Sequence, residues 1–582
     1  MANSDIYDLV VVGAGQSGIV SARFYLDIHP DAKVGILERD HSVGGVWNQE
    51  RVYPGFKSQQ SVRMSGFSDV PFTPKPDQVD EMHMYKAESM TTYLDEYVDN
   101  HVYSGQTLRD RIRFGVEVAS AERTPGGWRL HCSAPSGRQS FNARKLIVAS
   151  GTTSEANLPE FQGRETFKGP IIHTFNLAQS KVLRREDIRR IAIIGGGKSA
   201  ADHAYQAVKA GKEVQWIIRK SGKGPGAFTP VKIGIGSSIW QNVVELVNSR
   251  FLNAIFFAPS LASWGWWQTF MFSTRLGQWL YGKLEKSVIQ QANDAAQYDS
   301  RPGSKPSFSK LQTKVHGLAF DVPFGCLSYD DFWDTIAPNV DVYNEDIARL
   351  DGSTIEFKNG DQVEVDAIIC GTGFREGCSF FSQKDQMNLG LVHPDEWDTA
   401  DMSEEWRKLD AEAEKVVRQR YYSVSPPPPV PDQLGDIIRT DTPYRLYRNI
   451  VPVSDTNHNI AFVGFGSLPN MSLASEVSAI WTTAYLDRLL KLPSEEDMKK
   501  DVAYVATYLR MRFPAYGRYG NFYAVDYHHQ MDRLLGDLNL ASHRKGWLHD
   551  TFAPFLPADI SGLKDEYLNK YGGATVALDG QL

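Results

Sequence analysis

The chain has 582 residues, too many for one compact core, so two or three domains are expected. A net charge of −8 and the absence of a basic run argue against nucleic-acid binding. Its four scattered cysteines form no CxxC motif, which argues against a zinc site or a redox dithiol. The N-terminus lacks the charged-then-apolar pattern of a signal peptide, so we expect a cytoplasmic protein.

The first predicted element is a buried parallel strand that leads into a glycine loop. Residues 8–12 read DLVVV, and Gly13, Gly15 and Gly18 follow with GxGxxG spacing. In such a loop the glycines allow a tight turn, the close approach of a pyrophosphate and the packing of a helix on the strand. The next strand, KVGILERD, carries Glu38 at the position where an acidic side chain binds ribose hydroxyls. This stretch predicts a dinucleotide site for a cofactor with an unphosphorylated ribose.

A second strand and glycine loop, IAIIGGGKSAAD, has the GxGxxA variant of the same spacing and begins its turn at Gly195. Its following strand, EVQWIIRK, ends in Arg219 and Lys220, where the first unit has an acid. These two cations would attract a 2′-phosphate, which a carboxylate would repel. Opposite charges in the two loops therefore indicate two cofactors, FAD in the first loop and NADPH in the second.

An aromatic stretch at residues 234–286 departs from a minimal cofactor domain. It holds five of the thirteen tryptophans and has no charge between Arg250 and Arg275. Pro259 and the polar residues argue against a single membrane-spanning helix. Three interpretations stay open: a buried helical hairpin, a lid or tunnel for a bulky apolar substrate, and a peripheral membrane contact through residues 240–280.

Three later stretches have simpler interpretations. FKNGDQVEVDAIIC predicts a hairpin that turns at Asn359-Gly360, and residues 423–432, SVSPPPPVPD, predict a stiff connector. The last ninety residues are expected to be helical, with the adjacent His528 and His529 as structural or surface residues rather than metal ligands.

Eight further short stretches follow one another along the chain: VGGVWN, GFSDVPF, LIVASGT, FKGPIIH, DAIICGTGF, LYRNIVP, IAFVGF and EVSAIW. Together they resemble motifs of the flavin-containing monooxygenases, the class B flavoprotein monooxygenases, and in particular a fungal-type member of secondary metabolism. This resemblance covers most of the chain and implies that both FAD and NADPH bind.

Two positions depart from the family pattern. Leu177 stands where the signature after His173 usually has an aromatic residue. In YPGFKSQQSVRM, Gln59 aligns with the family's flavin-side asparagine, where Baeyer–Villiger enzymes usually have an aspartate that pairs with an arginine. A glutamine amide can hydrogen-bond a flavin hydroperoxide but cannot form that ion pair. Gln59 is therefore the candidate catalytic residue, with a solvent-facing loop glutamine as the alternative, and His173 is expected to be structural.

The resemblance implies that NADPH reduces FAD and that O2 then adds to the flavin C4a in a water-poor cavity. The predicted function is NADPH-dependent monooxygenation of a bulky apolar or aromatic small molecule, by N- or S-oxygenation or a related oxidation. A Baeyer–Villiger monooxygenase acting on a ketone, suggested by YPG, is the first alternative. An NADPH oxidase or flavin reductase is the second, and a non-catalytic NADPH-binding regulator is the third.

The predicted fold class is α/β, with two Rossmann-like dinucleotide-binding domains and a helical, aromatic-rich insertion. We expect an FAD domain built from residues 1–155 and 376–582, the latter including a C-terminal helical region, and an NADPH domain at 156–375 with its insertion at about 224–325. The residues assigned to cofactor binding are Gly13, Gly15, Gln16, Ser17, Gly18, Glu38, Arg39, Gly45, Val46, Trp47, Gln59, Val118, Gly195, Gly197, Lys198, Ser199, Ala200, Arg219, Lys220, Gly371, Thr372 and Gly373.

Overall fold

The structure is a computed structural model that describes residues 6–232, 239–256, 261, 265–313, 322–375, 378–421, 441–524 and 526–579. The polyproline connector predicted at 423–432 lies outside the described residues, as does Trp264 of the aromatic stretch.

Strands and helices alternate through much of the described chain. The strands are β1 (Ile6–Val12), β2 (Val34–Glu38), β3 (Lys57–Ser61), β4 (Met84–Lys86), β5 (Val102–Tyr103), β6 (Gln106–Thr107), β7 (Ile112–Phe114), β8 (Glu117–Thr124), β9 (Gly127–Ala134), β10 (Gly137–Val148), β11 (Glu155–Ala156), β12 (Ile171–His173), β13 (Arg190–Ile194), β14 (Glu213–Ile218), β15 (Ala227–Pro230), β16 (Phe324–Leu327), β17 (Val340–Asn344), β18 (Ile347–Asp351), β19 (Thr354–Phe357), β20 (Gln362–Glu364), β21 (Ala367–Cys370), β22 (Phe374–Arg375), β23 (Leu446–Tyr447), β24 (Val451–Pro452) and β25 (Ile460–Phe462). The helices are α1 (Gln16–Ile28), α2 (Ala87–Asn100), α3 (Leu177–Ser180), α4 (Lys198–Lys209), α5 (Val243–Val247), α6 (Arg250–Phe256), α7 (Trp266–Ser273), α8 (Arg275–Ala296), α9 (Phe332–Asn339), α10 (Gln383–Leu389), α11 (Ala400–Arg420), α12 (Met471–Leu486), α13 (Glu495–Arg512), α14 (Tyr527–Asp537), α15 (Trp547–Phe552) and α16 (Leu563–Asp579).

The first large sheet contains the first glycine loop. Strands β7, β2, β1, β10 and β25 are parallel neighbours in that order, and β8 and β9 extend the sheet as an antiparallel meander on β10. The uncharged run that forms β1 is buried, as a central parallel strand requires. Because β25 comes from the C-terminal part of the chain, that part completes the sheet begun by the N-terminal part.

The second large sheet contains the second glycine loop. Its five strands, β12, β21, β13, β14 and β17, lie in that order and are all parallel. In both sheets a buried strand leads through a glycine turn into a helix, β1 into α1 and β13 into α4. The predicted α/β class with two Rossmann-like units is therefore confirmed, whereas the exact domain boundaries stay predictions.

The hairpin expected near Asn359-Gly360 is confirmed. Strands β19 and β20 pair antiparallel, and Gly360 has a φ of 90° in the turn between them. The C-terminal region is helical, as expected, through α13 to α16. His528 is buried there, and its Nε2 lies 2.8 Å from the Asn248 carbonyl oxygen, which makes it a structural residue.

The aromatic stretch is helical but does not form a fully buried hairpin. Helices α5 to α8 lie in this region, and Met271, Phe272 and Tyr281 are buried between neighbours. Trp266 and Trp279, in contrast, are 79% and 58% exposed, because they lie on the outer faces of α7 and α8. Among the helices of the described chain, none is both long enough and apolar enough to cross a membrane.

Candidate functional site

The first glycine loop is shaped by contacts that exclude side chains. Gly13 has a φ of 104°, and a Cβ there would lie 2.6 Å from the Ala149 carbonyl oxygen. A Cβ on Gly18 would overlap the Gly13 carbonyl, so α1 can pack on its strand only with glycine at this position. No side chain caps the first turn of α1, which leaves its N–H groups available to an anion.

The turn that contains Gly45, Val46 and Trp47 packs directly on this loop. A Cβ on Gly45 would lie 3.2 Å from the Cα of Gly15. Val46 is 41% exposed at the turn, and the Trp47 ring stacks on Phe56 with 5.5 Å between ring centroids. The structure thus brings together two predicted elements that are thirty residues apart in the chain.

Residues from the C-terminal part close the other side of the first loop. The Gln16 amide donates to the Ser472 hydroxyl at 3.2 Å, and the Ser17 hydroxyl lies 2.8 Å from that of Ser475. A Cβ on Gly464 would overlap the Ser17 hydroxyl, so the turn after β25 also touches the loop. Of these three residues only Gly464 lies in a stretch that resembles a family motif, IAFVGF, and none of the three was predicted as a site residue.

Glu38, Arg39 and Val118 lie at the edge of the first site. The Glu38 carboxylate accepts hydrogen bonds from the backbone N–H groups of Ala14 at 2.6 Å and Asp40 at 2.9 Å. Burial raises the pKa of Glu38. Arg39 donates to the Ser154 carbonyl at 2.5 Å, and Val118 is buried in β8 of the same sheet. Glu38 therefore lies beside the glycine loop, as a ribose-binding carboxylate must.

The second glycine loop repeats the geometry of the first. Gly195 has a φ of 131°, and a Cβ there would overlap the Gly371 carbonyl oxygen. A Cβ on Gly371 would lie 2.9 Å from the methyl of Ala200, so the GTG turn after β21 packs on this loop. Helix α4 follows Gly197, and, as in α1, no side chain caps its first turn. Ser199 is exposed at the same helix end.

The GTG turn also contacts the connection between the two sheets. The Thr372 hydroxyl donates to the Asn157 carbonyl at 2.6 Å. The Gly373 carbonyl accepts from His173 Nε2 at 2.8 Å, and His173 Nδ1 accepts from the Phe175 N–H at 3.1 Å. Both ring nitrogens of the buried His173 are therefore engaged by the backbone, which supports the structural role expected of it.

Lys198 places a positive charge at the first residue of α4, directly after the second glycine loop. Its ammonium contacts both oxygens of Asp202 at 2.5 Å, and both side chains are about nine-tenths buried. Its stem lies over Gly325, where a Cβ would be 3.0 Å from the lysine Cβ. A cation at a helix N-terminus is unfavourable by itself, so its position here fits a phosphate ligand.

Arg219 and Lys220 lie at different distances from the second loop. Arg219 comes directly after β14. A Cβ on Gly222 would lie 3.6 Å from the Arg219 Nε, so the arginine side chain packs along the turn that follows. The Lys220 side chain is 70% exposed and lies 3.7 Å from Glu345. The geometry therefore supports Arg219 as a phosphate ligand more strongly than Lys220.

Gln59 lies where the strand β3 meets the strand β16. Its Oε1 accepts a hydrogen bond from the Cys326 N–H at 3.3 Å, on β16, which also carries Gly325 beneath Lys198. The next residue, Gln60, donates to the Pro469 carbonyl just before α12. Gln59 is solvent-exposed on β3 and does not belong to the core.

The family's aromatic position after His173 is filled differently in this chain. Leu177 is buried in the core of the second sheet and begins α3. Phe175, two residues nearer, lies under the Arg51 guanidinium, 4.1 Å from ring centroid to guanidinium carbon, and also contacts Phe374. Phe175 thus places an aromatic ring at the connection between the sheets.

These residues fit two dinucleotides. Each loop has a backbone cradle that a Cβ would fill, an uncapped helix N-terminus and, at the end of the second strand, a charge suited to its cofactor. When bound, FAD supplies the redox chemistry and NADPH supplies the hydride. Such a pair of sites defines a two-cofactor flavoprotein oxidoreductase.

Comparisons with known proteins agree with this class. A family model described as pyridine nucleotide-disulphide oxidoreductase matches residues 10–259. FAD-dependent monooxygenase resA of Aspergillus sclerotiorum is 28% identical over 97% of this chain and 98% of its own length. FAD-dependent monooxygenase rstn6 of Aspergillus nomiae is 29% identical over 97% of this chain and 99% of its own. The closed crystal structure of cyclohexanone monooxygenase shares the fold, with a TM-score of 0.60, 17% identity and coverage of 92% of this chain and 98% of that one.

The chain is thus similar over almost its whole length to fungal FAD-dependent monooxygenases and shares its fold with a flavin monooxygenase. It is an oxidoreductase that incorporates one oxygen atom, and its cofactors are FAD and NADPH.

Proposed function

We propose that the enzyme uses NADPH and O2 to oxygenate a nitrogen or sulfur atom of a bulky apolar small molecule. The observation that carries this proposal is the position of Gln59, whose amide oxygen accepts from the Cys326 N–H next to Gly325, the residue that packs against Lys198 after the second glycine loop. A neutral amide can donate a hydrogen bond to the activated oxygen without removing its proton. The electrophilic transfer of oxygen to nitrogen or sulfur needs that protonated state.

Baeyer–Villiger chemistry needs a nucleophilic, deprotonated oxidant, which an aspartate–arginine pair would support. Position 59 offers no carboxylate, and the strand facing it, β16, consists of Phe, Gly, Cys and Leu. The charge pattern around Gln59 therefore favours heteroatom oxygenation over ester formation from a ketone.

The surroundings of Gln59 also favour coupled oxygenation over peroxide release. Trp47, Phe56 and Tyr53 form a continuous stack, with 5.5 Å and 4.9 Å between successive ring centroids. Tyr53 and Phe56 come just before β3 in the chain, so this stack offers apolar surface next to the strand that carries Gln59, and an apolar surface beside the reacting oxygen would limit the access of water. The fungal relatives, which are named as FAD-dependent monooxygenases, support a substrate from fungal secondary metabolism.

Stopped-flow spectroscopy tests this proposal. When the FAD-loaded enzyme is reduced with NADPH and mixed with O2, a long-lived intermediate should form whose absorbance spectrum differs from those of oxidised and reduced flavin. Immediate return to oxidised flavin with one peroxide per NADPH would instead support the oxidase alternative. A substrate panel of amines, thioethers and ketones, analysed by mass spectrometry, separates heteroatom oxygenation from ester formation.

Variants of Gln59 test the residue itself. Gln59→Leu removes the amide, so the peroxide released per NADPH should rise roughly tenfold, the effect of one hydrogen bond of about 1.4 kcal/mol. Gln59→Asn keeps the amide and should stay close to wild type. If both variants leave peroxide release unchanged, Gln59 is only a surface residue.

A further inference from the structure

A second glycine-rich turn lies over the NADPH loop. Residues 221–226 read SGKGPG, and the Gly226 N–H donates to the Gly196 carbonyl at 2.8 Å. A Cβ on Gly196 would overlap the Gly224 carbonyl oxygen, so the two glycine segments are in direct backbone contact. Lys223 lies in the middle of this turn, and its position is therefore fixed relative to the second glycine loop.

Lys223 lies among other cations. Its ammonium donates to the Ala515 carbonyl, and its nearest charged neighbours are Arg518 and Arg219. The side chain still reaches solvent, while protein atoms surround much of the ammonium. This burial, together with the two arginines, lowers the pKa of Lys223 to about 8.

Arg518, one of the two arginines beside Lys223, comes from the C-terminal part of the chain. It belongs to the turn after α13, and its Nη2 lies 2.7 Å from Asp441. The same turn contacts the NADPH side a second time, because the Tyr516 hydroxyl accepts from the Phe324 N–H at 2.9 Å. Arg518 is therefore held beside Lys223 by the turn after α13, which contacts the strand β16.

The cluster formed by Arg219, Lys223 and Arg518 concentrates positive charge beside the second glycine loop. Lys220, the cation next to Arg219 in the chain, is 70% exposed and lies 3.7 Å from Glu345 instead. Neighbouring cations attract an anionic group, because each of them adds to the local positive potential and can donate a charged hydrogen bond. The position of the cluster therefore suits a phosphate at the edge of the second glycine loop.

We propose that Lys223 and Arg518 complete, with Arg219, the site for the 2′-phosphate of NADPH, and that Lys220 takes no part in it. This inference rests on the use of NADPH by the enzyme. It attributes selectivity for NADPH over NADH to Lys223 and Arg518, which do not lie at the end of β14. It also means that the bound 2′-phosphate links the C-terminal segment to the NADPH unit.

Isothermal titration of the FAD-loaded enzyme with NADP⁺ and with NAD⁺ tests this site. Lys223→Gln should weaken NADP⁺ binding at least roughly tenfold, the effect of losing a charged hydrogen bond, and leave NAD⁺ binding within about twofold. Arg518→Gln should act in the same direction, and FAD content and thermal unfolding check that both variants fold. Lys220→Gln is the matched control and should bind both nucleotides like wild type.

The pH dependence gives a readout that a purely structural lysine would not change. The 2′-phosphate is fully ionised above pH 7, so NADP⁺ affinity should fall as the pH rises past 8 and Lys223 loses its proton. The charged groups facing Lys223 are Arg219 and Arg518, the latter paired with Asp441. Lys223→Arg should restore affinity and remove the fall.

The outcomes separate this inference from the proposed function. Equal losses for NADP⁺ and NAD⁺ in Lys223→Gln would place the lysine on the pyrophosphate and overturn the assignment. A loss in Lys220→Gln as large as that in Lys223→Gln would overturn it as well. If the wild-type enzyme binds no NADP⁺, the use of NADPH fails; if it does and the Lys223 variant keeps its selectivity, only this inference fails.

Discussion

Gly18 in the first turn of α1 packs directly on the carbonyl of Gly13, and no Cβ fits between them. This contact sets the distance between α1 and β1, and so the position of the helix N-terminus that faces the FAD pyrophosphate. The shape of the first glycine loop, and with it the binding of FAD, therefore requires a residue without a side chain at position 18.

Gly18→Ala should cost the enzyme its flavin. The added methyl would meet backbone rather than a flexible side chain, so α1 must shift, at a cost of about 3 kcal/mol or more. We expect a pale protein with a much lower ratio of 450 nm to 280 nm absorbance, and recovery of little colour on adding FAD.

Gly536 provides the matched control for this substitution. It lies in α14, and no neighbouring side chain or element comes within 4 Å of the position that an added methyl group would occupy. Gly536→Ala should keep full FAD content and be neutral or slightly stabilising, as alanine is in helices. A yellow Gly18→Ala protein with normal FAD affinity would contradict the role of this contact.

The burial of Glu476 leads us to expect an unusual dependence of the free energy of unfolding on pH. This carboxyl in α12 is completely buried and accepts from the Ser68 N–H and hydroxyl, each at 2.8 Å. Burial raises its pKa to about 8, because the charged carboxylate loses its hydration, and Arg23, 3.8 Å away and also paired with Asp27 and Asp69, lowers the pKa only in part. In the folded protein Glu476 is therefore protonated at neutral pH.

The sign of the effect follows from proton linkage. Between pH 4.5 and about 8 the folded state keeps a proton that the unfolded state releases, so the contribution of Glu476 to stability declines as the pH rises. Glu476→Gln should flatten this decline in thermal unfolding measured from pH 5 to 9. Glu496→Gln, on the exposed face of α13, should follow the wild-type curve.

His173 is expected to hold structure and to take no part in proton transfer. Burial lowers its pKa, and because a carbonyl can only accept, the neutral ring must carry its proton on Nε2 toward Gly373. His173→Asn should lower stability by about 1–3 kcal/mol through the lost buried hydrogen bonds. The pH profile of kcat should keep its shape, and the loss of an ionisation near pH 6 would show that this expectation is wrong.

The sequence was sufficient to predict the two strand–glycine–helix units, because the glycine spacing and the charge that follows are local. The contacts that close the first loop were not predictable in the same way. Ser472 and Ser475 lie more than 450 residues from their partners Gln16 and Ser17, and they lie outside the stretches that resemble family motifs. Only the fold brings the two ends of the chain together.

The phosphate site that we propose illustrates a second limit of sequence reasoning. The end of the second strand suggests Arg219 and Lys220 as phosphate ligands, whereas the structure shows Lys220 largely exposed and 3.7 Å from Glu345. The path of the turn at 221–226 returns Lys223 to the second loop instead. The aromatic stretch shows the same limit, since its composition predicts helices but does not indicate which tryptophans face solvent.

The exposed tryptophans of α7 and α8 allow a direct test of the predicted membrane contact. Trp266 and Trp279 are exposed together with Leu276 and Leu280, and the described charged side chains beside them are Arg275, Lys283 and Lys286, all exposed cations. Apolar rings flanked by cations suit the interface of a membrane that contains anionic lipids. Wild-type protein should therefore float with phosphatidylserine vesicles at low salt, and float less at high salt.

The double variant Trp266→Ser with Trp279→Ser should reduce this vesicle binding roughly tenfold or more, because it removes most of the apolar area that would enter the lipid. Trp547→Ser is the matched control, since Trp547 is 75% exposed on α15. Equal losses in the control would indicate a non-specific effect of exposed rings. If the wild-type protein stays with the soluble fraction on both neutral and anionic vesicles, α7 and α8 do not bind membranes, and their exposed rings would be better explained by a lid over the substrate.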